Sequence, residues 1–467
     1  MTGRGTLRIV LVATLWCLTP RNARSGPPDL PLPSPPASAE PFGWGDFTWL
    51  NGGSRQTTRL LESRHVVPQV DIDVNHTYSF NRPIDNTVVG STALARNNEF
   101  QLAYLGLGGE ILDLSIRARL MLQLGTRATV VPRNDASVLR GQFDLATAYR
   151  YISEAYAGYH WDRLRGINVD VGIFMSYVGL FSYTSFENWS YQPSFTSDNT
   201  PWFFNGARVQ VFPTDRLKLE LWLINGWQSY ARFNELPGAG FQIRWAPREW
   251  LNLVANGYVG TDTKDHPGRV RLHSDNSALV RYYNHPDRRG LSRAACSITA
   301  DAGFEQGDGV SPFGDGVEGS CTTATPCAQS FLSGMAYHRL WFWRNRVGWT
   351  VGGGLMHNPG RYLVLMPTGL AAQVFDTNAG TTFDAWDVST TLDWLPSDKL
   401  TVRFEVVHRE ASVPYFAGRE GVTGPDGYKS GGASNPDGTV STSVPLGWTP
   451  DLVKAETRLI LALLLRI

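Results

Sequence analysis

Charged and amide side chains recur at every second position along much of this chain. Asp71, Asp73 and Asn75 alternate with Val70, Ile72 and Val74. Oxygen ligands at i, i+2 and i+4 open a calcium-binding EF-hand loop. The sixth position here is His76 instead of glycine, however, and the twelfth is Arg82 instead of glutamate. Carboxylates also gather between Glu305 and Glu318, where they could hold Ca²⁺, but a solvated Gly-rich loop accounts for them as well. There is no G-x-S-x-G, no H-E-x-x-H and no Walker loop, and His408-Arg409-Glu410 reads as the rim of a strand. The sequence therefore points to no catalytic residue, metal or cofactor. What remains is contact between ions and rows of fixed charge.

Those rows need strands. From Leu112 to Leu124 every even position is apolar and nearly every odd position is polar, and the same period governs Ile167–Val171, Leu217–Leu221, Phe241–Trp245 and Val402–Val406. On a helix these charges would spread all round; on a strand they share one face. Several runs exceed ten residues, longer than ordinary sandwich strands and close to the length of tilted membrane strands. In a closed barrel the polar face lines the lumen. Asp113, Arg117, Arg119, Asp170 and Arg208 are then expected along the pore, with Lys218, Glu220, Arg244, Arg403 and Glu405. Both signs occur, which predicts no strong ion preference from composition alone.

Composition agrees. Lys+Arg and Asp+Glu are 42 each, and a zero net charge argues against a nucleic-acid partner. Aromatics make up 12% and charged residues only 18%, with mean hydropathy −0.21, and no stretch is apolar enough for a membrane-spanning helix. The pattern predicts an all-β, antiparallel, up-and-down transmembrane barrel of about sixteen strands, with fourteen as the alternative. Short turns such as 162–166, 213–216 and 396–399 alternate with long segments at 81–96, 125–146, 179–200, 305–328, 358–382 and 411–449. Short periplasmic turns and long extracellular loops are the rhythm of outer-membrane barrels. Tyr159, Trp161, Trp245, Trp250, Trp341, Trp343, Trp349 and Trp394 sit near strand ends and read as interfacial girdles.

Arg4 and Arg8 precede an apolar run from Ile9 to Leu18, which suits a signal peptide over 1–25, with cleavage as late as 39 as the alternative. A Pro-rich tether and periplasmic segment follows over 26–62, and the barrel over 63–467. Cys321 and Cys327 could close a small disulfide in an oxidising compartment, leaving Cys296 unpaired.

The third long segment, 179–200, is rich in rings for an exposed loop. Phe181, Tyr183, Phe186, Glu187, Asn188 and Tyr191 are its candidate constriction residues if it folds into the lumen, with Glu187 opposite Arg117, Arg119, Arg208 or Arg244. The alternative is a cover over the barrel mouth or a contact with a second protomer. Phe42–Trp49 could plug the lumen from below.

Gly166–Phe174, Glu187-Asn188-Trp189-Ser190-Tyr191, Thr200–Arg208 and Ile224-Asn225-Gly226-Trp227 resemble the putative β-barrel porin family, OmpL-like, as do Tyr149–Tyr156 and Asn358–Leu363. The similarity spans about 41–467 and implies an outer-membrane barrel with pore activity and no catalytic residues. One departure is the ending Leu465-Arg466-Ile467, where outer-membrane proteins typically end in an aromatic. The expected function is passive diffusion of ions and small hydrophilic solutes through a water-filled channel. A substrate-specific uptake channel for a sugar, peptide or hydrophobic solute is the alternative, and a surface adhesin a lesser one. Expected partners are outer-membrane lipid and lipopolysaccharide, the barrel-assembly machinery and small solutes. No stripe identifies a protomer interface, which leaves a homo-oligomer open.

Overall fold

The computed structural model describes residues 41–467 apart from 59–62, 64, 114, 133–134, 136, 138–140, 316–326, 369, 377–380 and 429–447. The signal peptide, most of the tether and Cys321 lie outside the described residues. Cys327 is disulfide-bonded and Cys296 is a free thiol.

Sixteen antiparallel strands close into one barrel. They are β1 (Val66–Ser79), β2 (Phe100–Asp113), β3 (Ile116–Leu124), β4 (Ile152–Trp161), β5 (Ile167–Met175), β6 (Phe203–Thr214), β7 (Leu217–Ile224) and β8 (Gly238–Arg248). The second half comprises β9 (Leu251–Gly260), β10 (Val270–Asn284), β11 (Leu291–Gln306), β12 (Ser330–Phe342), β13 (Val347–Asn358), β14 (Phe383–Trp394), β15 (Leu400–Ala411) and β16 (Ala455–Arg466). Each strand pairs with its neighbours in sequence, and β1 pairs with β16 from Asp71↔Arg466 to Ser79↔Arg458. Closure satisfies the edge groups that lipid cannot.

Alternation decides which side chain meets lipid. In β14, Phe383, Ala385, Asp387, Ser389, Thr391 and Asp393 are buried, while Asp384, Trp386, Val388, Thr390, Leu392 and Trp394 are exposed. Trp161, Trp245, Trp250, Trp343, Trp349 and Trp394 project outward near the short turns, as a girdle requires. Trp341 does not. It is 6% exposed and meets Trp189 edge-on at 5.7 Å, because its odd-numbered position shares the inward face of β12 with Phe331, Ser333, Met335, Tyr337 and Arg339.

Two other expectations shift. The alternating run from Leu112 spans two strands, since β2 ends at Asp113 and β3 begins at Ile116. Asp113 pairs with Ile116, and Arg117 with Leu112. Asp113 therefore ends β2, and its side chain lies outside the described residues. Residues 147–149, expected to begin a strand, complete a short helix Leu145–Tyr149, because the Asp144 side chain accepts from the Thr147 N–H and caps that turn.

Leu461, 53% exposed near the middle of β16, faces outward. Leu461→Arg should destabilise the barrel by about 2–4 kcal/mol, the cost of an arginine at the bilayer midplane. Urea unfolding of the protein refolded in lipid vesicles checks this.

Candidate functional site

The third loop (residues 176–202) leaves β5 and returns to β6 through the barrel interior. Ser185–Glu187 forms a 3₁₀ turn and Phe195–Asp198 one helical turn, whose Ser194 side chain accepts from the Thr196 N–H. Phe181, Tyr183, Phe186, Asn188 and Tyr191 are all buried. Their rings spread apart to reach the wall: Tyr183 meets Tyr104 of β2 at 5.9 Å, and Phe181 meets Tyr337 of β12 at 5.3 Å. Phe186 and Tyr191 join Val88, Ala93 and Leu94 of the first loop against Val407, Ile460, Ala462 and Leu464. Asn188 folds back on its own loop, accepting from Ser182 N–H and donating to Ser182 O at 2.8 Å each.

Charged wall residues hold this loop. Glu405 accepts from the Tyr191 N–H at 2.6 Å and the Gln192 N–H at 2.9 Å. Asp387 accepts from the Ser194 hydroxyl and the Phe195 N–H, both at 2.8 Å. Arg403 bridges Asp393 at 2.7 Å to the carbonyls of Ser185 and Asn188 at 3.1 and 2.6 Å. Arg409 pairs with Asp198 at 2.9 Å and stacks over Phe195 at 3.8 Å. Burial raises the Asp198 carboxyl against the pull of Arg409, and burial pushes the Tyr183 hydroxyl up to about 12.

Glu187 pairs with Arg466, which also pairs with Asp71 at 2.5 Å. The expected partners Arg117, Arg119, Arg208 and Arg244 lie on β3, β6 and β8, whereas the loop docks Glu187 beside the β1–β16 closure. Sequence spacing cannot say which sector of a barrel receives a loop.

Away from that sector the wall is wetter. Asp170 bridges Arg117 at 3.3 Å and Arg208 at 3.0 Å. Arg119 pairs with Glu154 at 2.6 Å and Glu110 at 2.9 Å, and Lys218 with Glu220 at 2.6 Å. Arg117, Arg119, Arg208, Lys218 and Arg244 each keep part of their surface exposed, while Arg403, Arg409 and Arg458 have almost none. Arg208 lies over the rings of Tyr156 and Phe174 at 4.7 and 4.6 Å, a cation–π arrangement that fixes its head group.

Residues 41–58 enter from the short-turn end. Phe42 N–H donates to Asp215 O at 2.8 Å, and Trp49, fully buried, donates from its indole to Glu249 O at 3.2 Å. Asp46 pairs with Arg293 at 2.7 Å and Arg281 at 3.3 Å. Burial opposes its ionisation, but Arg293, Thr48 and Arg281 together hold its carboxyl below the usual range. The segment meets the third loop through Trp189 N–H to the Asn51 side chain at 2.8 Å and Gly52 N–H to Glu187 O at 3.1 Å. A cavity of about 480 Å³ lies between this segment, the third loop and the wall at Lys218, Gln242, Arg244 and Asn252.

Sequence reading missed the first loop and the anchors Arg339, Arg409, Arg458 and Arg466. One signal was available: Leu459–Leu465 is apolar at successive positions, so both faces of β16 must pack there.

A closed barrel with a loop folded into a charged lumen defines a porin-like outer-membrane protein. The chain belongs to the family described as putative beta-barrel porin-2, OmpL-like, whose model matches residues 71–434. No curated protein matches. Among solved structures, OmpT of Vibrio cholerae is similar at 7% identity, covering 88% of this chain and 100% of that one with a TM-score of 0.46. An anion-selective porin from Comamonas acidovorans gives 9% identity, 86% and 99% coverage and a TM-score of 0.45. OprB of Pseudomonas putida gives 9% identity, 86% and 94% coverage and a TM-score of 0.45.

Arg409→Met leaves Asp198 buried without its cation and should cost about 3–5 kcal/mol. Adding Asp198→Asn should recover part of that loss. Denaturant unfolding of the two single variants and the double variant measures the coupling.

Proposed function

We propose that the protein is a diffusion pore for ions and small hydrophilic solutes, constricted by the third loop. The observation that carries this reading is the division of the lumen. The third loop packs on strands whose inward charges are buried, while the row Arg117, Arg119, Arg208, Lys218 and Arg244, the last over the Phe42 ring at 4.5 Å, retains solvent-accessible surface. Solutes pass along that row. Phe181, Tyr183, Phe186, Glu187, Asn188 and Tyr191 act by occupying space and holding the loop in place, and Glu187 is neutralised by Arg466. The same reading includes export by an N-terminal signal, insertion by the barrel-assembly machinery and contact with lipid and lipopolysaccharide.

A substrate-gated channel has its own support: residues 41–58 occupy the short-turn end with specific ion pairs. Planar-bilayer recording separates the two. The full mature chain should give discrete conductance steps in KCl, and removing residues 41–58 should enlarge them. Silence from a folded full chain, with steps appearing only after that removal, would favour the gated reading; silence from both would overturn the pore. Lys218→Glu with Arg244→Glu should move the reversal potential toward cation preference, and Glu187→Gln should move it much less.

A further inference from the structure

Two carboxylates face each other across adjacent strands in the lumenal wall. Asp275 of β10 pairs in register with Asp301 of β11, and each is 1% exposed. Like charges directly opposite one another are destabilising, and burial magnifies the repulsion. The row continues on both sides: Asn256 of β9 is in register with Asp275, and Ser333 of β12 with Asp301. Asn256 donates to one oxygen of Asp275 at 3.2 Å. The other Asp275 oxygen, both Asp301 oxygens and the hydroxyl of Ser333, itself 95% buried, have no hydrogen-bond partner.

Neighbouring cations do not resolve this. Arg271 is spent on Glu305 at 2.6 Å and Asp262 at 3.4 Å. His273 Nε2 lies 2.8 Å from Asp301, out of line for a hydrogen bond, and even a protonated imidazole offsets only one of the two charges. Its ring is packed against Trp227 at 4.5 Å and Phe331 at 5.5 Å.

We propose that Asp275, Asp301 and Ser333 bind a hard divalent cation, with Ca²⁺ as the best-fitting class. Unfilled carboxylate and hydroxyl oxygens are the donors that calcium takes, and it tolerates irregular geometry.

The test uses the full mature chain refolded in detergent free of lipopolysaccharide, stripped with EDTA and equilibrated with ⁴⁵Ca²⁺. Wild type should bind an ion that Asp301→Asn and Asp275→Asn weaken about tenfold or more. Asp308→Asn, in the separate acidic loop, should leave it unchanged. Tb³⁺ in place of Ca²⁺ should luminesce on tryptophan excitation in wild type and dim in Ser333→Ala, a small change that guards against misfolding of the aspartate variants. Absence of saturable binding to wild type, or binding equal in wild type and Ser333→Ala and in every folded aspartate variant, would overturn the proposal and leave a shared proton as the neutralising group.

Discussion

The pairing of β1 with β16 is the constraint on which the rest depends. In hydrocarbon an unpaired N–H or C=O has no water to turn to, so a sheet that spans lipid must have no edge. Closure brings Asp71 beside Arg466 and Ser79 beside Arg458, nearly the whole chain apart. Arg466, which holds Glu187 of the third loop, is therefore put in place by the same step that closes the sheet. Folding of the wall and docking of the loop are coupled through Arg466, which reaches both Asp71 and Glu187.

The lumen then divides by dielectric. Where the first and third loops press on β14–β16 and β1, carboxylates and guanidinium groups are desolvated and survive only because nearly all of their oxygens and nitrogens are spoken for. Asp393 accepts from both Arg339 and Arg403, and Glu405 is saturated by backbone amides. Such pairs contribute little net stability compared with an apolar core, but breaking one leaves an exposed cost. They give the loop one position. Across the barrel, Arg117, Arg119, Arg208, Lys218 and Arg244 keep part of their surface exposed, while their carboxylate neighbours Asp170 and Glu220 are buried.

That division gives the opposing Asp275 and Asp301 their significance. Elsewhere in the dry part of the lumen a buried carboxylate has an arginine or a set of amides; here the compensating groups stop short. A bound cation would bring this patch into line with the rest of the wall.

The period-two alternation determined the barrel, its strand number and the identity of the lumenal face, because which side of a strand meets lipid is a local property of the chain. The short-turn and long-loop rhythm and most of the tryptophan girdle were legible for the same reason. Trp341 proved to face inward, on the buried parity of its strand, since a ring near a strand end can sit on either face. Only the tertiary structure decided that Glu187 meets Arg466, that the first loop and residues 41–58 share the lumen with the third, and that Asp275 faces Asp301. Those contacts depend on which strands lie side by side around a closed ring and on the direction in which a loop descends, and neither is encoded in the spacing of residues along a single strand.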